Sequence, residues 1–231
     1  MGQDEQKISI IMPVHKIGPL FEAALKKVRA ASTPIQLIIV LNNKDLEGKI
    51  VPEGKDDLVV LCERQGRGYP IARGLEEVQN DIVVMLHSDT VLPDGWDGLI
   101  KKALSDERVA AGGFRLSFDR PTRFLDFCVW LTNVQYSIFN GLWGDRAIFT
   151  HAELLRGCKE AMDAPMWEDV RIVKCLRRKG KVISLDQKVV TSADSFHKRG
   201  PFRFLMRIIR CRLWYTFGGD LNKIYKSYYA K

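Results

Sequence analysis

The stretch DIVVMLHSDT, residues 81–90, decides the fold class of this 231-residue chain. Its centre, Ile82 to Leu86, is a continuous apolar run, which is typical of a strand buried on both faces of a sheet. The run stops at three polar residues, His87, Ser88 and Asp89. In open α/β sheets, ligands bind at the carboxyl ends of the strands. The stretch therefore predicts a buried parallel strand whose end carries a functional site.

Similar apolar runs precede this strand and alternate with helical patterns. Strands are expected at 8–12, 37–41, 58–62, 109–118 and 146–150, and helices at 20–30, 71–79, 124–139 and 167–180. Alternation of this kind predicts parallel strands joined by right-handed crossovers. We predict a single α/β domain with a Rossmann-like, mostly parallel central sheet flanked by helices. Its parts would be residues 7–108, residues 109–197 and a basic amphipathic tail at 198–231.

The composition narrows the class of partner and the compartment. The formal net charge of +8 favours anionic partners, namely nucleotide phosphates, nucleic acid or an acidic membrane surface. The basic residues are dispersed outside the tail and no recognition motif is present, so we expect no nucleic-acid partner. Five cysteines without a CxxC pair favour a reducing compartment and argue against a disulfide framework or a structural zinc. Because the N-terminus lacks an apolar signal segment, we expect a cytoplasmic protein.

The end of the 82–86 strand is a candidate metal site. His87 and Asp89 are two residues apart, so on extended backbone both side chains point to the same side. The Asp89 carboxylate is a hard oxygen donor that suits Mg²⁺ or Mn²⁺ bound together with substrate phosphates. The alternative is that Asp89 only caps the following turn, as aspartate often does.

Two further motifs could serve a ligand. Glu168 and Asp169 follow Trp167 at a helix start, where burial would raise the pKa of a carboxyl toward that of a general base. Capping of the helix N-terminus is the simpler interpretation of such a pair. The stretch QGRGYPIARG, residues 65–74, offers glycines, a helix N-terminus and two arginines to an anion, but it matches neither the P-loop nor the GxGxxG pattern.

Together, the order and spacing of these motifs resemble one family over nearly the whole chain. The chain is similar to family 2 glycosyltransferases of the GT-A fold, and within them to the arsenosugar-biosynthesis-type branch. The strand end LHSDT resembles the metal-binding DxD strand, which often reads LHADT in that branch. Other matching segments are ISIIMPVHK, QLIIVLNNKD, GRGYPIARGL, WGDRAIFTHAELL, MWEDVRIVKCLRRKGKV and VVTSADSFHKRG.

The resemblance implies a nucleotide-diphosphate sugar donor, a Mn²⁺ or Mg²⁺ cofactor, and inversion at the anomeric carbon by one displacement. Asp89 would hold the cation, with His87 in place of the first aspartate of DxD. Asp169 would be the general base that deprotonates the acceptor hydroxyl, with Glu168 as its neighbour or substitute. The residues implied to bind the donor are Pro13, Val14, His15, Asn42, Asn43, Arg67, Arg73 and Ser88.

The chain also departs from the family pattern. The turn after the second strand reads Leu41-Asn42-Asn43 and lacks the usual carboxylate, which favours a nucleobase other than uracil because Asn both donates and accepts. His87 leaves one carboxylate for the cation, and Arg171 stands where the branch has a second acid. Two alternatives stay open: a catalytically silent nucleotide- or membrane-binding homologue, and a sugar nucleotidyltransferase. A nucleotidyltransferase would need a glycine- and lysine-rich loop after the first strand, where MPVHKIGPL offers little.

The tail segment GPFRFLMRIIRCRLWYTFGG, residues 200–219, predicts an amphipathic helix with an arginine stripe beside an apolar face. One interpretation is an interfacial helix on anionic lipid, at the inner face of the membrane, which would suit a lipid-linked acceptor. The other, which we favour, is a helix packed into the core with solvated arginines. The stretch from 198 to 217 is the part expected to touch a membrane.

Overall fold

The computed structural model describes residues 7–139 and 145–229, without the side chains of residues 135–139. Its strands are β1 (Ile8–Val14), β2 (Ile35–Leu41), β3 (Leu58–Leu61), β4 (Ile82–Met85), β5 (Thr90–Val91), β6 (Val109–Phe118), β7 (Ile148–His151) and β8 (Lys181–Thr191). Its helices are α1 (Phe21–Arg29), α2 (Gly68–Leu75), α3 (Trp96–Leu104), α4 (Arg123–Phe139), α5 (Ala152–Arg156), α6 (Lys159–Met162), α7 (Glu168–Arg177), α8 (Asp194–Arg199), α9 (Pro201–Thr216) and α10 (Leu221–Tyr229).

These strands form one sheet in the order β3-β2-β1-β4-β7-β6-β8-β5. The pairs β3/β2, β2/β1, β1/β4 and β6/β8 are parallel, whereas β4/β7, β7/β6 and β8/β5 are antiparallel. The predicted α/β fold with a mostly parallel central sheet is therefore confirmed. The short strand β5 follows β4 directly in the chain, but it pairs with β8 at the edge of the sheet opposite β3.

The apolar strand runs are explained by helices on both faces of the sheet. Along β1, Ile8, Ile10 and Met12 pack with the buried Trp96 of α3 on one face. Ile11 belongs to the opposite face, together with side chains of α2 and α7. Most apolar side chains of β1, β2 and β4 are thus removed from water on both faces, which accounts for their continuous rather than alternating hydrophobicity.

Cys158 and Cys175 form a disulfide that joins the turn before α6 to α7. The expectation that the cysteines would not form disulfides is wrong for this pair, because α5 to α7 fold back and bring residues 17 positions apart to a Cα–Cα distance of 5.9 Å. Cys62, Cys128 and Cys211 are free. The cysteine pattern therefore no longer supports a reducing compartment.

The tail folds as two helices against the second half of the chain. Cys211 of α9 and Ile224 of α10 are fully buried and pack with Met166 and Trp167, which precede α7. The preferred interpretation of the tail, a helix packed into the core, describes this inner face of α9. Among the helices that the structure describes, none is long and apolar enough to span a membrane.

Candidate active site

Four charged or titratable side chains meet at the carboxyl end of β4. Arg67 lies at the N-terminus of α2, His87 follows β4, Asp145 precedes β7 and Glu168 is the first residue of α7. Arg67 Nε donates to Glu168 Oε1 at 3.0 Å, and Arg67 Nη2 donates to Asp145 Oδ1 at 3.4 Å. The same Nη2 lies 3.0 Å from His87 Nε2, which lies 3.3 Å from Asp145 Oδ1. We call these four residues the Arg67 cluster.

Backbone contacts fix the position of Arg67 relative to α7. The Arg67 amide donates to Pro165 O at 2.9 Å, and the Gly68 amide donates to Ala164 O at 3.2 Å. A Cβ on Gly68 would lie 2.2 Å from Met162 O, a distance that only glycine avoids. The glycines around Arg67 therefore allow the start of α2 to dock directly against the loop that leads to Glu168.

Two non-glycine residues beside the cluster adopt left-handed backbone conformations. Trp167 has φ 60° and ψ 26° and immediately precedes Glu168. Ala147 has φ 50° and follows Asp145 by two residues. Conformations of this kind cost about 1–3 kcal/mol each and persist where the surrounding packing imposes them. Trp167 immediately precedes the first turn of α7, which carries Glu168, and Ala147 lies between Asp145 and the start of β7.

The cluster perturbs the pKa of each acid in a different direction. Glu168 is only 1% exposed, and burial raises its pKa above the ordinary value although Arg67 opposes the shift. Its second oxygen, Oε2, is buried without a hydrogen-bond partner among the described residues. Burial would also raise the pKa of Asp145, but the neighbouring His87 and Arg67 outweigh it and lower that pKa. The pKa shifts of Glu168 and Asp145 are therefore opposite in direction, and of these two acids Glu168 holds a proton more readily.

Asp89 lies half-buried beside this cluster. Burial and the nearby Asp145 raise its pKa, while His87 and Arg67 oppose the shift. Among the residues of 7–139 and 145–229, no three His, Cys, Asp or Glu side chains converge to hold a metal ion. His87 Nε2 already faces the Arg67 guanidinium, which leaves the Asp89 carboxylate as the fitting protein donor. One carboxylate suits a Mg²⁺ or Mn²⁺ ion that takes its other ligands from substrate phosphates.

Asp169 differs from its neighbour Glu168 in exposure. It is half-buried, and its Oδ1 accepts a hydrogen bond from the Val170 amide at 2.8 Å. The Arg212 guanidinium of α9 lies 5.4 Å from the centre of the Trp167 ring and contributes positive charge toward Asp169. Asp169 is therefore the more exposed of the two adjacent acids at the first turn of α7, since Glu168 is buried.

A second part of the site is a cavity of about 360 Å³ at the carboxyl ends of β2 and β3. The Asn42 side-chain amide donates to Cys62 O at 3.4 Å and to Arg64 O at 3.2 Å, which ties the two strand ends together. Asn43 Oδ1 accepts from the Asp45 amide and caps a short 3₁₀ helix. The cavity is lined by Asn42, Asn43, Lys44, Leu61, Cys62, Glu63 and Gln65.

The remaining candidate residues lie at three different places. Val14 is buried at the end of β1, with Pro13 half-buried and His15 exposed, next to the Asn42 strand end. Ser88 is half-buried in the turn between His87 and Asp89. Arg73 pairs with Glu77 at 2.6 Å and Glu76 at 3.4 Å along α2. The contacts of Arg73 are therefore made within its own helix region and not with the Arg67 cluster.

A larger cavity, about 420 Å³, lies beside α4. Arg115 of β6 and Lys188 of β8 give it positive charge, and Trp130 and Asp126 come from α4. No described contact joins it to the Arg67 cluster, so we assign it no part in the candidate chemistry.

The family model for glycosyl transferase family 2 matches residues 9–143, more than half of the chain. The chain belongs to glycosyl transferase family 2. The matched segment includes β1 to β4, the Asn42 cavity, Arg67 and the His87–Asp89 turn. This family 2 glycosyltransferase matches no curated protein sequence.

Solved structures with a similar fold include that of S. aureus TarS residues 1–349, with a TM-score of 0.59 and 13% sequence identity. That match covers 96% of this chain and 70% of the TarS chain. The structure of S. aureus TarS 1–349 in complex with UDP-GlcNAc has a TM-score of 0.58 at 12% identity. That match covers 96% of this chain and 71% of the TarS chain. Against a further TarS structure the TM-score is 0.57 at 12% identity, and the chain spans 42% of the TarS length. These likenesses support the GT-A fold.

Asp145 is the residue of this glycosyltransferase that sequence reasoning missed. It lies in WGDRAIFT, a segment that resembles the family, yet nothing in the segment itself marks the acid as a partner of Arg67. The two residues are 78 positions apart. Arg171, the departure from the branch pattern, donates to the Ala161 and Glu160 carbonyls and so braces α6 rather than facing the cluster.

Proposed function

We propose that the chain transfers a sugar from a nucleotide-diphosphate donor to a hydroxyl acceptor, with inversion at the anomeric carbon and with Mg²⁺ or Mn²⁺ as cofactor. The observation that carries this proposal is the contrast between two adjacent acids at the start of α7. Glu168 is buried and paired with Arg67, whereas Asp169, the next residue, is only half-buried. An inverting displacement needs a base for the acceptor and a group that stabilises the leaving diphosphate, and we assign these roles to Asp169 and Arg67.

The donor is proposed to lie along the carboxyl edge of β1, β2 and β4. The Asn42 cavity would take the nucleobase, with Asn43 at its wall and Pro13, Val14 and His15 at its side. Arg67 and Ser88 would face the diphosphate, and Arg73 would contribute only a more distant charge. TarS has been crystallised with UDP-GlcNAc, which makes a nucleotide sugar the donor class to test first.

The departing diphosphate gains negative charge, which the site must stabilise. The Arg67 guanidinium is held by Glu168 and Asp145, so its charge is fixed in place before the donor binds. Asp89, with His87 beside it, would hold the divalent cation. When bound, such a cation neutralises phosphate charge and assists departure of the leaving group.

Asp169 is proposed to act as the general base. Its carboxylate accepts the proton of the acceptor hydroxyl while the hydroxyl oxygen forms a bond to the anomeric carbon. The bond from that carbon to the diphosphate oxygen breaks on the opposite face of the sugar, so the configuration inverts. Glu168 keeps Arg67 in position and does not itself meet the acceptor.

The experiment is to incubate the full chain with a panel of nucleotide sugars and Mn²⁺. The nucleoside diphosphate that is released when the sugar is transferred to water or to an added acceptor is then measured. We expect release from one donor class, and we expect Asp169→Asn to lower the rate about 10²- to 10⁴-fold while nucleotide affinity stays within about threefold. Asp163→Asn, an exposed acid in the preceding turn that pairs with Arg64, is the matched control and should keep full activity.

An unchanged rate in Asp169→Asn would remove this residue from the role of base. Release from no donor, with nucleotide binding intact, would instead favour a catalytically silent homologue.

A further inference from the structure

Helix α9 has two apolar faces, and only one of them is covered. Phe204 and Cys211, at 5% and 0% exposure, face the interior. The Phe204 ring packs edge-on against Phe196 of α8 at 4.9 Å, and Cys211 packs with Trp167 and α10. The core therefore accounts for the inner face of the helix and leaves its outer face to be explained.

The outer face carries a row of large apolar side chains, which we call the outer stripe. Their exposures are 65% for Phe202, 47% for Met206, 40% for Ile209 and 52% for Leu213, and Phe217 follows at 84%. At 100° per residue, the four helical members fall within an arc of about 60°. Exposed apolar residues that have no binding role are usually scattered singly over a surface. A continuous row of them instead marks an interaction surface.

Positive charge borders the outer stripe. Residues 195–219 contain six lysines and arginines and no acid. Arg203 makes no hydrogen bond or ion pair with the described residues, while Arg199 donates to Tyr228 O and Arg210 to Ser227 Oγ, neither of them an acid. Arg203 and Arg210 are seven residues apart and therefore lie on one line along the helix, beside the stripe.

We propose that α9 lies on an anionic lipid surface, with the outer stripe in the acyl–headgroup boundary and the arginines on the headgroup phosphates. An apolar face flanked by arginines is the pattern of helices that bind in the plane of the interface. A symmetric dimer through the same face would bring together two copies of this acid-free basic surface, which like-charge repulsion opposes. The acid-free composition thus favours a lipid phosphate surface over a second copy of the chain.

The docking surface and the candidate catalytic loop share this one helix. The inner face of α9 packs on Trp167, which immediately precedes Glu168 and Asp169. Lipid binding by the outer stripe does not depend on the proposed transfer reaction. The two proposals therefore fail separately: a chain that binds lipid can be inactive, and an active chain can ignore lipid.

The test is sedimentation of the full chain with phosphatidylcholine vesicles, with and without phosphatidylglycerol. We expect binding only when the anionic lipid is present, and weaker binding as salt is added. Leu213→Glu should lower the partition coefficient more than about tenfold, because it puts a charge in the stripe. Arg203→Ala should lower it about fivefold, the value for one cation near the surface. Val51→Glu, at an exposed apolar residue of a distant loop, is the matched control and should bind as the unmodified chain does.

Equal binding to neutral and anionic vesicles, or equal loss in Val51→Glu and Leu213→Glu, would overturn the proposal. So would light scattering that shows a dimer in the unmodified chain and a monomer in Leu213→Glu, because the stripe would then be a contact between two copies. Circular dichroism of each variant checks that the helix content is unchanged, so that lost binding reports the surface.

Discussion

The two halves of the candidate site are built in different ways. The Asn42 cavity lies at the ends of β2 and β3, adjacent parallel strands, and its shape is set by backbone and amide contacts. The Arg67 cluster is assembled from four separate segments and is held by charge. Two left-handed residues, Ala147 and Trp167, support the segments that carry its acids.

In the proposed mechanism, this difference assigns recognition of the donor to the cavity and stabilisation of the leaving group to the Arg67 cluster. A cavity made by strand ends is rigid without any ligand and suits a flat, neutral group such as a nucleobase. A half-buried arginine that is held between acids has a fixed position before a ligand binds, which suits contact with a departing diphosphate. Variants in the cluster should therefore affect folding and catalysis together, whereas variants in the cavity should affect nucleotide binding without a change in the turnover number.

The largest expected effect on the fold comes from Arg67→Met. It leaves the carboxyl of Glu168 buried without its counter-charge, and we expect about 2–3 kcal/mol lower stability at pH 8. The double variant Arg67→Met/Glu168→Gln should recover most of this loss. Arg64→Met, which removes an exposed pair with Asp163, should cost less than about 1 kcal/mol. Urea denaturation of the four proteins measures the difference, and equal losses in Arg67→Met and Arg64→Met would contradict the buried-charge account.

The sign of the pH dependence follows from the raised pKa of Glu168. The Glu168 carboxyl holds its proton more tightly in the folded chain than in the unfolded chain, where its pKa is the ordinary 4.5. The stability that Glu168 contributes is present below the unfolded pKa and is lost as the pH rises through the higher pKa of the folded state. Removal of Arg67 raises the pKa further, so the Arg67→Met penalty should shrink between pH 8 and pH 5. A penalty that grows toward acid pH would contradict this assignment.

A smaller effect is expected in the Asn42 cavity. Asn42→Ala removes the amide that joins the β2 and β3 ends, and we expect nucleotide affinity to fall about tenfold with stability lowered by about 1 kcal/mol. The turnover number at saturating donor should not change. Asn222→Ala, an exposed amide on α10, is the control. A drop in turnover number in Asn42→Ala would show that the cavity and the cluster are not separate.

The sequence predicted the first half of the fold well, because β1, β2 and β4 are apolar runs buried on both faces. It missed β8, whose exposed Asp186 and Lys188 flank a register shift against β6 and break the strand pattern. It placed the second helix at 71–79, whereas α2 spans Gly68–Leu75, because the start of the helix is set by docking of Gly68 on the 162–164 turn.

Part of the candidate active site could be predicted from the sequence for the same reason. Asn42, Asn43, Arg67, His87, Asp89, Glu168 and Asp169 stand at strand ends and helix starts, which local patterns mark. Contacts between distant segments leave no local pattern. The Arg67–Asp145 pair spans 78 residues. The outer stripe of α9 is distinguished from the buried face of the helix only by the packing of α10 and Trp167 on that buried face.

The central claim is that the carboxyl edge of the sheet binds a nucleoside diphosphate with a cation at Asp89. The most direct measurement is calorimetric titration of UDP, GDP, CDP and dTDP into the full chain with and without Mn²⁺. The account predicts that one nucleotide binds, that Mn²⁺ strengthens its binding, and that Asp89→Ala abolishes the strengthening. Binding of no nucleotide under either condition, or an equal response to Mn²⁺ in Asp89→Ala, would contradict it.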